Sequence, residues 1–331
     1  MLEKETVDKE ARINDDNKDV ITEEEYQNAS GPVAVGLTND YMFRVVFQQN
    51  KHALKGLIAS VLHIRPESIR DLEIKNAIQP GVSITDKEYR MDILATMNDG
   101  TSTNLEMQLR NLGNWKYRSL SYLCRNFDSL DHGDDYDKVQ PTYQIGFLGF
   151  TLFNDHPEFC ATYQMRNAKD NFLYTGRFNL IVVELNHEKL ATEEDRLFGI
   201  DKWVKLFKST TWEELRMIAQ DDEYLTSAVK SMYLSNEDYN VIKVARERDD
   251  FLRSQAYKDR RLAEQADEII KQANEIETLN GMNAELNDKN AELNDKNAEL
   301  NDKNAELNSE NARLSDENML LRQKLKEYGI K

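Results

Sequence analysis

Cysteine is scarce in this chain: two residues, Cys124 and Cys160, among 331. That is too few for a disulfide framework in a chain of this length. The opening MLEKETVDKE has neither an apolar signal core nor a basic leader region, so a reducing, cytoplasmic setting is expected. Long hydrophobic runs are missing as well. The longest, Tyr143 to Phe153, falls well short of the ~20 residues a helix needs to cross a bilayer, and no membrane association is expected. Positive charge is in deficit, with 43 Lys and Arg against 60 Asp and Glu and a net charge of −17. This excludes a wholly basic nucleic-acid coat protein or a polybasic membrane binder, though not a locally basic site. Proline is absent after Pro157, and eleven of the thirteen glycines lie between positions 31 and 200. Turns therefore concentrate in the first half of the chain and helices in the second.

What is present divides into three stretches. Residues 1–32 form an acidic run, with ten acidic and four basic side chains in the first thirty. It has too few large apolar groups to offset ordering entropy and is expected to be a mostly disordered tail. At the other end, Asn-Ala-Glu-Leu-Asn-Asp-Lys recurs from Asn283, so that Leu279, Leu286, Leu293, Leu300, Leu307, Leu314 and Leu321 fall seven apart. That is a heptad with leucine at d. The a positions are Ile269, Ile276 and then Asn283, Asn290, Asn297, Asn304, Asn311 and Asn318. Asparagine buried at a gives up stability and fixes register, and it pairs best in a parallel in-register dimer. Residues 241–331 are thus expected to be a helix and coiled coil that joins copies of the chain.

Between them, residues 33–240 alternate. Leu37-Thr38-Asn39-Asp40 resembles a helix cap entering Tyr41 to Phe47, and Ala53 to Leu62 keeps apolar residues at helical spacing. Arg70 to Ile78, Glu88 to Met97, Thr103 to Leu109, Tyr143 to Phe153, Phe159 to Arg166 and Phe178 to Asn186 read as strands. A helix from Asn114 to about Leu130 follows the third of these, and three helical segments near 195–208, 211–219 and 222–234 follow the last. The class is mixed α/β.

Two alternating runs flank Asn98-Asp99-Gly100, a strong hairpin turn signal. A hairpin centred on Asp99 sets Ile93 against Leu105 and Met91 against Met107 on an apolar face, and Arg90 against Gln108 and Asp92 against Glu106 on the other. Like charges directly opposite one another are unfavourable. Register slip, good solvation or an intervening cation would each relieve them, and Mg²⁺, which prefers oxygen ligands, suits the last.

These residues resemble a known family. Asp92 followed by Glu106-Met-Gln108 on consecutive strands, with a helix after them, is similar to the PD-(D/E)XK nuclease core. More narrowly, Leu37 to Phe47, Tyr-Arg-Met-Asp-Ile-Leu-Ala (89–95), Leu-Glu-Met-Gln (105–108) and Trp-Lys-Tyr-Arg-Ser-Leu-Ser-Tyr-Leu (115–123) resemble the recombination-promoting nucleases also described as PD-(D/E)XK nuclease family transposases. The resemblance spans about residues 34–240. It implies a restriction-endonuclease-like core, a central mixed sheet flanked by helices, here followed by the coiled-coil helix. It also implies metal-dependent hydrolysis of DNA phosphodiesters, with Asp92 and Glu106 as ligands of Mg²⁺ or Mn²⁺, Gln108 in the catalytic set and Asp40 as an additional acidic participant.

The broader superfamily carries lysine where this chain has Gln108. Glutamine can orient a water or bond a phosphate oxygen, but it brings no positive charge, and Arg90 is a candidate for supplying it. On the helix that follows, Lys116, Arg118, Tyr122 and Arg125 are candidates for DNA contact, the last three sharing a face. Residues 41–130 sum to about +3, so what basic charge exists lies around the proposed site. The five histidines show no metal spacing, and no phosphate loop or serine-hydrolase elbow appears, which argues against zinc, nucleotide and serine-hydrolase readings. The Asp131 to Asp137 run reads as an acidic surface loop. The leading expectation is a DNA endonuclease held as a dimer. The alternative is a catalytically weak nuclease-like domain that binds DNA or protein on a coiled-coil scaffold.

Overall fold

The computed structural model describes residues 23–75, 92–128, 130, 133–327 and 329. Residues 1–22 of the expected tail, the residues Tyr89, Arg90 and Met91, and His132 lie outside them, and Asp92 is described through its backbone. The chain forms two compact units, the first ending at Leu252 and the second running from Arg253 to Lys331. In chain order the first unit contains α1 (Glu23–Asn28), α2 (Asp40–Gln49), α3 (Lys51–Val61), β1 (Leu72–Ile74), β2 (Asp92–Met97), β3 (Ser102–Gln108) and α4 (Trp115–Phe127). It continues through β4 (Thr142–Leu148), β5 (Cys160–Gln164), β6 (Phe178–Glu184), α5 (Glu193–Leu197), α6 (Ile200–Lys208), α7 (Trp212–Ala219), α8 (Glu223–Glu237) and the start of α9 (Tyr239–Glu327).

The strands make one mixed sheet in the order β1-β2-β3-β4-β6-β5. The central strands β3, β4 and β6 are parallel, and the outer pairings are antiparallel. Each overlaps one of the six segments read as strands. The hairpin register is the one centred on Asp99, with Asp92 opposite Glu106 and Ile93 opposite Leu105. Its turn closes through Gly100 N to Met97 O at 2.9 Å and Met97 N to Thr101 O at 2.8 Å. Gly100 takes φ +87°, a backbone that a residue without Cβ adopts at little cost.

Alternation gives the sheet two unlike faces. Ile93, Ala95, Leu105, Met107, Ile145, Phe147, Ile181 and Val183 point to the main core with residues of α2, α3, α6, α7 and α8. Phe43, Phe47, Phe147, Trp203 and Phe207 interlock there with ring centroids 4.8–6.1 Å apart. Burying each such ring or a large aliphatic side chain is worth roughly 1.5–3 kcal/mol, so this face carries most of the stability. The other face is covered by α4. Trp115 packs there with Leu148 and Val182, and a Cβ built on Gly146 would lie 2.1 Å from its ring. The site described below lies on this face.

Two stretches differ from the sequence-based expectation. Residues 23–28, assigned to the disordered tail, form a helix with Tyr26 buried, because Arg216 donates to the Tyr26 carbonyl and Lys230 lies 5.2 Å from the Tyr26 ring centroid. The boundary expected at 240 falls inside α9, whose Val241, Val244 and Ala245 are buried in the first unit. From Tyr257 onward α9 is exposed, its heptad leucines included. Among the described residues, no helix is long and apolar enough to cross a membrane.

Candidate active site

Paired residues on neighbouring strands point to the same face, as do residues two apart on one strand. Glu106 and Gln108 therefore belong to the α4 face, with Asn104 and Gln144 beside them joined by an Nδ2 to Oε1 bond of 2.9 Å, and Asp92 stands opposite Glu106 in the strand register. Glu106 and Gln108 are each about 8% exposed. A buried carboxylate demands a counter-charge, and α4 provides one: the Arg118 guanidinium donates to Glu106 Oε1. The same guanidinium lies 5.6 Å from the Trp115 ring centroid, so the ring seated over Gly146 also steadies it.

Gln108 donates from Nε2 to the Arg110 carbonyl at 2.8 Å, while its buried Oε1 has no hydrogen-bond donor among the described residues. Arg110 in turn donates to the Leu252 carbonyl of α9. One turn earlier on that helix, Arg248 clamps Asp40 Oδ2 with two bonds of 2.9 and 2.8 Å from Nε and Nη2. Asn39, the N-cap of α2, donates to Ala245 O and to Asp249 Oδ1. Positions 245, 248, 249 and 252 share one helical face. The first turns of α9 thus tie the start of α2 to the segment that follows β3, the strand that Gln108 ends. Asp40 Oδ1 is a second buried oxygen without a hydrogen-bond donor among the described residues.

The expected DNA-contact residues separate. Arg118 is turned onto Glu106, Lys116 lies 5.6 Å from the Phe153 ring centroid, and Arg125 lines a small cleft with Leu94, Thr96, Gly100 and Ser102 at the turn end of the hairpin. Tyr122 is partly buried on the same helix.

Sequence reasoning missed two groups. Glu184, at the end of β6, shares the α4 face and is buried, accepting from Leu152 N at 2.8 Å with His187 Nε2 3.4 Å away. Burial pushes its carboxyl above the usual range, and the Leu152 N–H and His187 only partly offset this. The unfolded chain therefore releases this proton first, and stability falls as pH rises above the ordinary carboxylate range. Glu184→Gln is expected to flatten that fall, measured as thermal midpoint against pH. The second group, His63, Cys160 and Asp195, lies outside this site. Burial, together with Asp195 and Glu158, pushes the Cys160 thiol up to about 12.

A six-stranded mixed sheet with an acidic pair on adjacent strands, followed by a helix packed on the same face, is the arrangement the resemblance implies. A model of the PD-(D/E)XK nuclease family transposases matches residues 37–257, well over half of the chain. The chain belongs to this family. No curated protein and no solved structure matches it. Membership in the PD-(D/E)XK nuclease family transposases supports a nuclease- or transposase-like role, and the match begins two residues before Asn39 and ends five beyond Leu252, so it takes in the α2 cap and the α9 turns that hold it.

Proposed function

We propose that this member of the PD-(D/E)XK nuclease family transposases is a DNA endonuclease dependent on Mg²⁺ or Mn²⁺. The observation that carries the reading is the register Asp92 opposite Glu106, with the undonated Gln108 Oε1 on the same face. The donors are all oxygen and include two carboxylates, the set a hard divalent cation takes. Asp92 and Glu106 would hold the ion. When bound, it supplies charge to a phosphoryl oxygen and lowers the pKa of a coordinated water.

The chain's own residues do the rest. Gln108 orients a water or a phosphate oxygen through its amide. Arg118 fixes the Glu106 carboxylate and adds the positive charge that the lysine of the broader superfamily would bring. Asp40 holds α9 against the site edge through Arg248. Lys116, Tyr122 and Arg125 extend the contact to DNA along α4.

We further propose that the second unit joins two chains. Its leucines from Leu279 to Leu307 are each close to 57% exposed, an unpartnered stripe at heptad spacing. A parallel second copy of the same helix covers it and sets the asparagines opposite one another. The Glu106–Arg118 ion pair, together with glutamine in place of lysine, favours a second reading, a nuclease-like binding module with a silenced site.

Titration of the purified chain with Mn²⁺ separates the two. The endonuclease reading expects binding that Glu106→Gln weakens by about tenfold or more. Equal Mn²⁺ affinity in both proteins would remove Glu106 from the ligand set and favour the binding module.

A further inference from the structure

The structure assigns a second metal site, for a borderline transition-metal ion with Zn²⁺ as the best match, to His63, Cys160 and Asp195. It lies on the opposite face of the sheet from Glu106 and Gln108. Cys160 opens β5 opposite Val183, which points to the main core. His63 follows the C-cap of α3, and Asp195 is the third residue of α5. One ligand atom from each lies within 4.8 Å of the other two, and His63 Nε2 is 3.1 Å from Asp195 Oδ1. Tetrahedral zinc, with bonds of about 2.0–2.3 Å, holds its ligand atoms roughly 3.3–3.8 Å apart. The ion takes the position of the proton between His63 and Asp195 with small movements of three side chains. Nitrogen, sulfur and oxygen donors together suit zinc and exclude Mg²⁺ as the preferred ion.

The groups behind the ligands point the same way. Metal-binding histidines and carboxylates are normally oriented by hydrogen bonds on their far side. Asp195 Oδ2 accepts from both the backbone N and the hydroxyl of Thr192 at 2.7 Å, which leaves Oδ1 for the ion. His63 Nδ1 faces the Glu194 carboxylate at 3.9 Å, and the ring stacks on Phe198 with centroids 5.3 Å apart.

His63 also has φ +51°. A position just past a helix end with this backbone normally takes glycine, and a residue with a Cβ costs about 1 kcal/mol there. The imidazole is placed at the cluster despite that cost. Three ligands from three separate segments bind only the folded chain, so the ion pins α3, β5 and α5 together.

The test uses the full-length chain, stripped with chelator and then dialysed against Zn²⁺ or Co²⁺. Metal analysis is expected to find one zinc per chain, and cobalt to give a thiolate charge-transfer band in the near ultraviolet. Cys160→Ser removes the band and weakens zinc by at least about tenfold, whereas Cys124→Ser changes neither. His63→Asn has the same effect on zinc, and asparagine tolerates the left-handed backbone, so this variant keeps the fold if the serine variant does not. The double variant Asp92→Asn, Glu106→Gln retains the zinc, which makes the result independent of the nuclease reading. Full zinc affinity in Cys160→Ser and His63→Asn, a cobalt band that follows Cys124, or no zinc retained by the stripped and reloaded chain would each overturn the assignment.

Discussion

Asp92→Ala and Glu106→Ala are each expected to reduce cleavage of supercoiled plasmid by at least about 10³-fold, the scale set by losing several kcal/mol of metal-derived transition-state stabilisation. The two substitutions should differ in what else they disturb. Asp92 begins β2, so its removal touches little of the sheet. Glu106 is buried and engages Arg118, so alanine leaves a partly buried guanidinium without its carboxylate. Glu106→Gln keeps a hydrogen-bond acceptor for Arg118 and removes the charge that a cation needs, which makes it the cleaner variant. Both proteins should keep their circular dichroism and mass. An unfolded Asp92→Ala protein would mean that the residue serves the sheet and not the site.

The second large effect concerns the coil. Replacing Leu293 and Leu300 by aspartate is expected to halve the mass measured by size exclusion with light scattering. Each leucine buried at a dimer seam contributes roughly 1.5–3 kcal/mol, and two facing aspartates per layer add repulsion. The six asparagine a positions make that seam weak enough for two such layers to decide association. The variant should still bind Mn²⁺, since the site residues all lie before Arg253. An unchanged mass would remove the heptads from the account of assembly. A monomer that still nicks but no longer linearises plasmid would link the coil to paired cutting.

Sheet and site were legible to different depths. All six strands overlap segments legible as strands, and Asn98-Asp99-Gly100 between two alternating runs gives the register that sets Asp92 against Glu106, because hairpin pairing is a local property of turn and period. Capping was equally local, with Asn39 accepting from Met42 N. What pattern could not reach were contacts between distant segments. The first turns of α9 read as the start of a coil, yet Ala245, Arg248 and Leu252 close one edge of the site. Arg118 reads as a phosphate contact, and its bond to Glu106 was not legible. His63, Cys160 and Asp195 share no spacing in sequence, and only the packing of α3, β5 and α5 brings them together. Tyr26 lies in a run whose composition is that of a disordered tail, and one buried ring beside Lys230, with Arg216 on its backbone carbonyl, orders it.

The central claim is that a metal held between Asp92 and Glu106 cuts DNA. Its most direct test is cleavage of supercoiled plasmid by the wild-type chain with Mg²⁺, with excess EDTA, and by Asp92→Ala with Mg²⁺, side by side. The account predicts nicked or linear product in the first reaction and none in the other two. Cleavage that survives EDTA or the loss of Asp92, or no cleavage by folded wild-type protein in Mg²⁺ and Mn²⁺, would contradict it.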